Sequence, residues 1–451
     1  MPALIRFLRH LIGPVLLLQG LLVHAAGEVA TQPQPTIRHY DVRLTPDLAA
    51  GTLGGQVRLL LAASGGVARR LQLDAGPALF IESVQEAGRA LNFERLAQRL
   101  IVQLPPAEPA TGERSIEIRY RGAPIAGLRF LPQHRQVYTA FSTSQWLPCV
   151  DAPDQRATLN LGLELPADLQ VVGNGRLVRS ELLASGQRLT VWSLAQPMPS
   201  YLFGFAAGPF REVVDDSAWP TLRHLGPDSL SQDDLRRIFA DTRDMIAFYA
   251  DKAGLPFPAE SYTQVLVSGP AAQELAGFAV MSEAYGRRVL ADPQQAWLAA
   301  HELSHQWWGN AVTNRDWNEF WLNEGISSFL NAAWFEHRFG VAAYDRLIDA
   351  ARRKYEAVRE SGGDRSLVFP DWAAPSANDR SLVYDKGAYV MHRLRLLMGD
   401  TAFWSGLRSH TRKFWGRSVT SREFQDSMQA AAGERDLGPF FDEWVFRKER
   451  P

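Results

Sequence analysis

The sequence has almost no cysteine. Its 451 residues include one, Cys149, so no disulfide can form within the chain and folding must rest on core size. It also lacks a charge imbalance. The 48 Lys+Arg and 49 Asp+Glu give a formal net charge of -1, which offers no reason to expect nucleic acid or an anionic surface as partner. No internal repeat or low-complexity tract occurs. What is present is 46% hydrophobic and 22% charged residues with 13 tryptophans and 27 prolines, a globular composition with an aromatic interior and many turns. The length allows two or three domains.

The first residues read as a targeting segment. Arg6 and Arg9 precede an apolar run from Leu11 to Val23, too short for a comfortable membrane span, and Val23-His24-Ala25 offers small residues for cleavage. Residues 1–26 are therefore expected to be a signal peptide, the protein exported to the periplasm or secreted, and no stable membrane association to remain after removal. Cys149, between Pro148 and Val150, is expected to be a buried small apolar residue and not a nucleophile.

From Thr36 to about Gly208 the period is two. Tyr40-Val42-Leu44, Val57-Leu59-Leu61, Ile116-Ile118-Tyr120 and Leu159-Leu161-Leu163-Leu165 alternate, and Gly54-Gly55, Gly65-Gly66 and Gly173-Asn174-Gly175 mark turns. A β-sheet domain over 36–208 is expected. Beyond about residue 209 the period changes. Ser231–Tyr249 reads as one helix opened by Ser231 and Asp234, Tyr262–Val267 as a strand, and Ala342–Arg359 and Lys386–Leu397 as helices. Thr420-Ser421-Arg422-Glu423 is a capping box opening a last helix.

The densest chemistry lies between Trp297 and Glu324. His301, Glu302 and His305 stand in the pattern H-E-x-x-H, which puts two imidazoles on one helix face, one turn apart. Two neutral imidazoles can hold Zn²⁺, and Glu302 stands where a general base is needed. A catalytic zinc takes three protein ligands and leaves a fourth position open. The third candidate is Glu324, in the mostly apolar stretch Phe320–Leu330, brought back by a short turn through Asn310, Thr313 and Asn314. Trp307 and Trp308 read as core.

His301-Glu302-Leu303-Ser304-His305, then a spacer from residue 306 to residue 323, then Glu324-Gly325, resembles the gluzincin peptidases of the aminopeptidase N and leukotriene hydrolase family. Trp146–Pro153 with Arg156-Ala157-Thr158, Ser200–Phe205 and Tyr384-Asp385-Lys386-Gly387 are similar to further segments of that family. The resemblance implies a multidomain chain, β then α+β: a saddle-like β-sheet domain followed over 209–451 by a mainly helical, thermolysin-like zinc peptidase domain, in a short form lacking the family's C-terminal helical domain. It implies one Zn²⁺ per chain on His301, His305 and Glu324, with Glu302 as base and Tyr384 donating to the oxyanion. The family's amine-reading segment falls on Ala271–Leu275, which makes Glu274 the residue that holds the substrate's free amine. Two positions depart: Leu275 replaces an asparagine and Thr139 a glutamine. The expected activity is removal of N-terminal residues from peptides. The departures keep an endopeptidase or a non-peptide hydrolase on the same site as alternatives, with a non-catalytic zinc-binding module behind them.

Overall fold

The computed structural model describes residues 34–62, 69–106, 113–369 and 375–447. The expected signal, 1–26, and the Gly65-Gly66 turn lie outside these residues.

The alternating segments form one eight-stranded sheet. Ile37–Asp47 runs parallel to Arg156–Pro166 and antiparallel to Thr52–Leu61. Tyr40, Val42 and Leu44 stand opposite Leu159, Leu161 and Leu163 on one side, and Val42 stands opposite Val57 on the other. A one-residue slip would turn this whole apolar set to solvent, so the pattern fixes the register. The buried face packs on a three-stranded sheet that includes Arg70–Asp74 and on a four-stranded sheet that includes Gln136–Ala140 and Phe205–Gly208. Cys149 is fully buried in that core, as its neighbours suggest, and burial pushes its thiol well up.

Phe210–Asp215 opens a separate five-stranded mixed sheet. Its edge strand is Ala272–Gln273, antiparallel to Phe278–Ser282. Around it lie α1 (Gln232–Ile238), α2 (Thr242–Ala253), α3 (Glu283–Ala291), α4 (Trp297–Ser304), α5 (Trp321–Phe339), α6 (Val341–Glu360), α7 (Ala377–Ser381), α8 (Gly387–Met398), α9 (Asp400–Lys413), α10 (Ser421–Ala431) and α11 (Gly438–Phe441). The architecture is a β-rich domain followed by a helical catalytic-type domain. Among the described residues no helix is long and apolar enough to cross a membrane.

One local expectation is corrected and two gain detail. The helix expected over Ser231–Tyr249 is two, α1 and α2, because the chain bends at Phe239, whose ring stacks on buried His224 (centroids 4.8 Å apart), and Thr242 Oγ1 reaches Gln264 (2.8 Å). Gly173-Asn174-Gly175 turns the chain between the strands Gln170–Gly173 and Arg176–Leu182, as expected. Asn174 is buried, donates to the carbonyls of Leu202 and Ala276 and accepts from Gly204 N–H, joining the sheet domain to the segment that carries Glu274. Asn310, Thr313 and Asn314 do return the chain between α4 and α5, but buried. Val312–Asn314 pairs with Arg417–Val419, and the Arg156 guanidinium donates to Thr313 Oγ1 (2.8 Å) and the Asn310 carbonyl (2.9 Å).

Candidate metal centre and catalytic cavity

Helix α4 is apolar on nearly every side, so it sits inside the second domain. His301 lies in its last turn and His305 caps its C-terminus. Glu324 lies in the first turn of α5, which packs beside α4. The three side chains are buried and converge. His301 Nε2 is 3.0 Å from His305 Nε2 and 3.1 Å from Glu324 Oε2, and His305 Nε2 is 3.5 Å from that oxygen. Zinc bonds of about 2.0–2.1 Å in a tetrahedron put neighbouring ligand atoms about 3.3–3.4 Å apart. The observed triangle fits one face of that tetrahedron, and its atom types, two imidazole nitrogens and a carboxylate oxygen, are zinc's. Among the described residues it is the one His/Cys/Asp/Glu group close enough to hold a metal ion.

The second layer orients the triangle. His305 Nδ1 lies 3.2 Å from the Trp308 carbonyl and 3.0 Å from Ser327 Oγ, which leaves Nε2 facing the metal position. Ser327 is three residues beyond Glu324, on the same face of α5. The Tyr384 ring stacks on His301, with centroids 6.1 Å apart and planes 23° apart. Tyr384 rides on a single π turn, Leu382–Lys386, between α7 and α8. Lys386 fixes the end of that turn: its buried ammonium donates to Asp364 (2.8 Å) and to the Arg365 carbonyl (2.6 Å). Next to it, Gly387 lies against Gly325, the residue after Glu324, so closely that a Cβ on Gly387 would sit 2.7 Å from Gly325 Cα.

Burial and like charge set the electrostatics. Glu302 is pushed well up by burial, with Glu274 and Glu324 adding to the shift. Burial also raises Glu274, again helped by Glu324, while a hydrogen bond from Asn323 opposes it. Burial would raise Glu324 too, but the His305 and His301 imidazoles outweigh it and hold this carboxyl well below its ordinary range. Burial lowers His301. For His305 burial acts the same way, but the surrounding carboxylates, Glu324 first, push it up to about 9. The Tyr384 hydroxyl is raised by burial and by Glu324, Glu274 and Glu302, so it stays protonated and able to donate.

His301, Glu302, His305, Glu324, Tyr384 and Glu274 all line one cavity of about 780 Å³. Glu274 is 2% exposed, not a surface glutamate. Leu275 does not face this cavity. Its side chain belongs to a separate apolar cluster that includes Tyr138, Val172 and Phe210, and Gly204 lies against it. Thr139 is buried and bonded to the backbone of Phe205 (N–H to Oγ1, 3.0 Å). Neither Leu275 nor Thr139 is among the residues lining this cavity.

Other residues here carry no motif. The sheet domain lends Phe141, 47% exposed on the cavity wall. Phe141 and Ser142 have φ of +54° and +47°, a left-handed pair without glycine. Phe141 N–H donates to Gln273 Oε1 (2.9 Å), and Gln273 precedes Glu274. Tyr201, quoted above only as part of a strand block, bridges the domains: its hydroxyl donates to the Gly309 carbonyl (2.9 Å) and accepts from Asn323 (3.2 Å). Adjacency to Glu324 was the one sequence signal for Asn323. Phe141 had none.

The chain matches two family models, the peptidase M1 N-terminal domain over residues 36–202 and the peptidase family M1 domain over residues 239–444. It is 24% identical over 444 residues to a probable aminopeptidase 1 of Saccharolobus solfataricus, covering 92% of this chain and 54% of that protein. It is 29% identical to leucine aminopeptidase 2 of Aspergillus terreus over 62% of this chain and 45% of that one. The chain thus spans about half the length of these relatives. In fold it resembles the M1 zinc metallopeptidase of Deinococcus radiodurans (TM-score 0.75, 23% identity, covering 93% of this chain and 96% of that one). It also resembles yeast LTA4 hydrolase (TM-score 0.77, 20% identity, 93% and 69%). With both models in chain order over a His-His-Glu triangle, the chain belongs to peptidase family M1, a family of zinc metallopeptidases.

Proposed function

We propose that this protein is a zinc aminopeptidase that removes N-terminal residues from peptides, with one zinc ion per chain on His301, His305 and Glu324. The observation that carries the reading is the position of Glu274: a buried carboxylate in the same cavity as the zinc triangle but not one of its ligands. A substrate ammonium held there sets the distance from the chain's end to the reacting bond.

Zinc, when bound, supplies a Lewis acid for the carbonyl and for water. Glu302, one residue from a ligand and raised by burial, takes the proton from the attacking water and passes it to the leaving amine. Tyr384 keeps its proton and donates to the carbonyl oxygen as it becomes an anion, a contribution of about 3 kcal/mol for one such donor. Export, to the periplasm or outside the cell, is part of the proposal and is supported by the basic and apolar start of the sequence alone.

The test compares a peptide with its N-acetylated form. Cleavage of the free peptide only, with the preference lost in Glu274→Ala, is expected. Equal cleavage of both by the wild type removes the aminopeptidase reading and leaves an endopeptidase.

A further inference from the structure

The cavity is lined by charges of both signs, and the basic residues have no role in the reading above. The acids Glu274, Glu302 and Glu324 line it, and so do Lys354 and Arg380, with Leu347, Ile348 and Ala351. Lys354 is neutralised by Asp385 (3.1 Å), which also accepts from Ser381 (2.8 Å). Arg380 is exposed. Of the acids near it in sequence that the structure describes, Asp379 is held by Arg365 and by the Ser376 cap, and Asp364 by Lys386. Among the described residues no carboxylate pairs with Arg380. Its guanidinium stands on the wall of an acid-rich cavity as an open fork for a planar anion.

Resting on the proposed aminopeptidase function, we propose that Arg380 binds a carboxylate on the leaving side of the peptide, so that the preferred substrates are short peptides with a positive and a negative end. Arg380 is one helical turn before Tyr384, so its place relative to the reacting carbonyl is set by the same segment. One turn is about 5.4 Å, and an extended residue spans about 3.3–3.6 Å. With the reach of the arginine added, the carboxylate falls about two or three residues beyond the cleaved bond. Leu347, Ile348 and Ala351 offer apolar lining for the intervening side chains. The carboxylate is either the peptide's C-terminus or an acidic side chain at that distance.

The experiment uses the zinc-loaded full chain and three tetrapeptides of one sequence: the free acid, the C-terminal amide, and the amide with aspartate at the last position. Each is assayed with wild type and Arg380→Gln. The wild type is expected to favour the acid over the amide in kcat/KM by about tenfold or more at low salt, as a charge-assisted pair should. In Arg380→Gln the ratio is expected to fall to near one. If the aspartyl amide matches the acid, an acidic side chain serves as well; if it matches the plain amide, the C-terminus is the ligand. A wild-type ratio near one, or one that survives Arg380→Gln, overturns the inference. An aminoacyl coumarin amide, which has no leaving-side carboxylate, tests the parent reading separately. If that reading fails, calorimetric affinities of Glu302→Gln for the acid and the amide, with and without Arg380→Gln, decide the role of Arg380 by the same ratio.

Discussion

Gly387→Ala tests how the site is held at the right spacing. The residue is helical, so intrinsic propensity alone favours alanine by about 1 kcal/mol. Sterics oppose it. The new Cβ would lie 2.7 Å from Gly325 Cα, where carbon pairs prefer about 3.5–4.0 Å, so the two segments must part by about 1 Å. Overpacking of this kind costs about 1–3 kcal/mol. The two segments carry Tyr384 and Glu324, so the displacement falls between the proposed oxyanion donor and a proposed metal ligand. A shift of about 1 Å at such a place costs about 100-fold in rate. The expected outcome is a kcat loss of that order on an aminoacyl coumarin amide, with zinc content near that of wild type and a lower melting temperature. Tyr384→Phe removes the donor outright, so Gly387→Ala should cost little more when added to it. Two results would refute the reasoning: Gly387→Ala with more than half of wild-type kcat, or a double variant in which the two losses multiply in full.

Four further outcomes are expected. Glu302→Gln should keep its zinc, measured by metal analysis, while losing about 10²–10⁴ in turnover. Ser327→Ala should weaken zinc binding about 10–100-fold in a competition with a chelator, because His305 loses a second-layer partner. Stability should fall as pH drops from about 6.5 toward 4. Burial depresses His224 to about 4 and His410 to about 3, so the unfolded chain takes up protons first and stability is complete only above its own pKa. The His224 shift alone is worth about 3 kcal/mol, readable as a falling denaturation midpoint whose pH dependence lessens in His224→Phe. Phe141→Gly should raise the melting temperature, since a left-handed non-glycine residue costs about 1–2 kcal/mol; an unchanged or lower value would count against strain there.

The zinc triangle was legible because its ligands are locally patterned. His301 and His305 share a helix face through spacing alone, and Glu324 stood out as a carboxylate in an apolar stretch. The period-two segments gave the sheet domain for the same reason: Tyr40, Val42 and Leu44 show their buried face in their alternation. What stayed hidden depends on contacts between distant segments. The direction of Leu275 is set by Gly204 and Tyr138, which no local pattern connects to it. The two-residue motif Glu324-Gly325 and the segment ending in Gly387 were both visible, but not that their glycines touch. Arg380 belongs to no motif, and its place in the cavity wall follows only from the fold. The break between α1 and α2 escaped because Phe239 keeps helical spacing while its ring is claimed by His224.

The bend at Phe141 and Ser142 divides labour within the molecule. The proposed base and metal ligands sit on helices of the second half, whereas this aromatic rim comes from the first half and is kept in place by its own main chain and one amide of Gln273. A side chain exchanged at Phe141 would therefore alter the cavity wall without moving any residue of the His-His-Glu triangle.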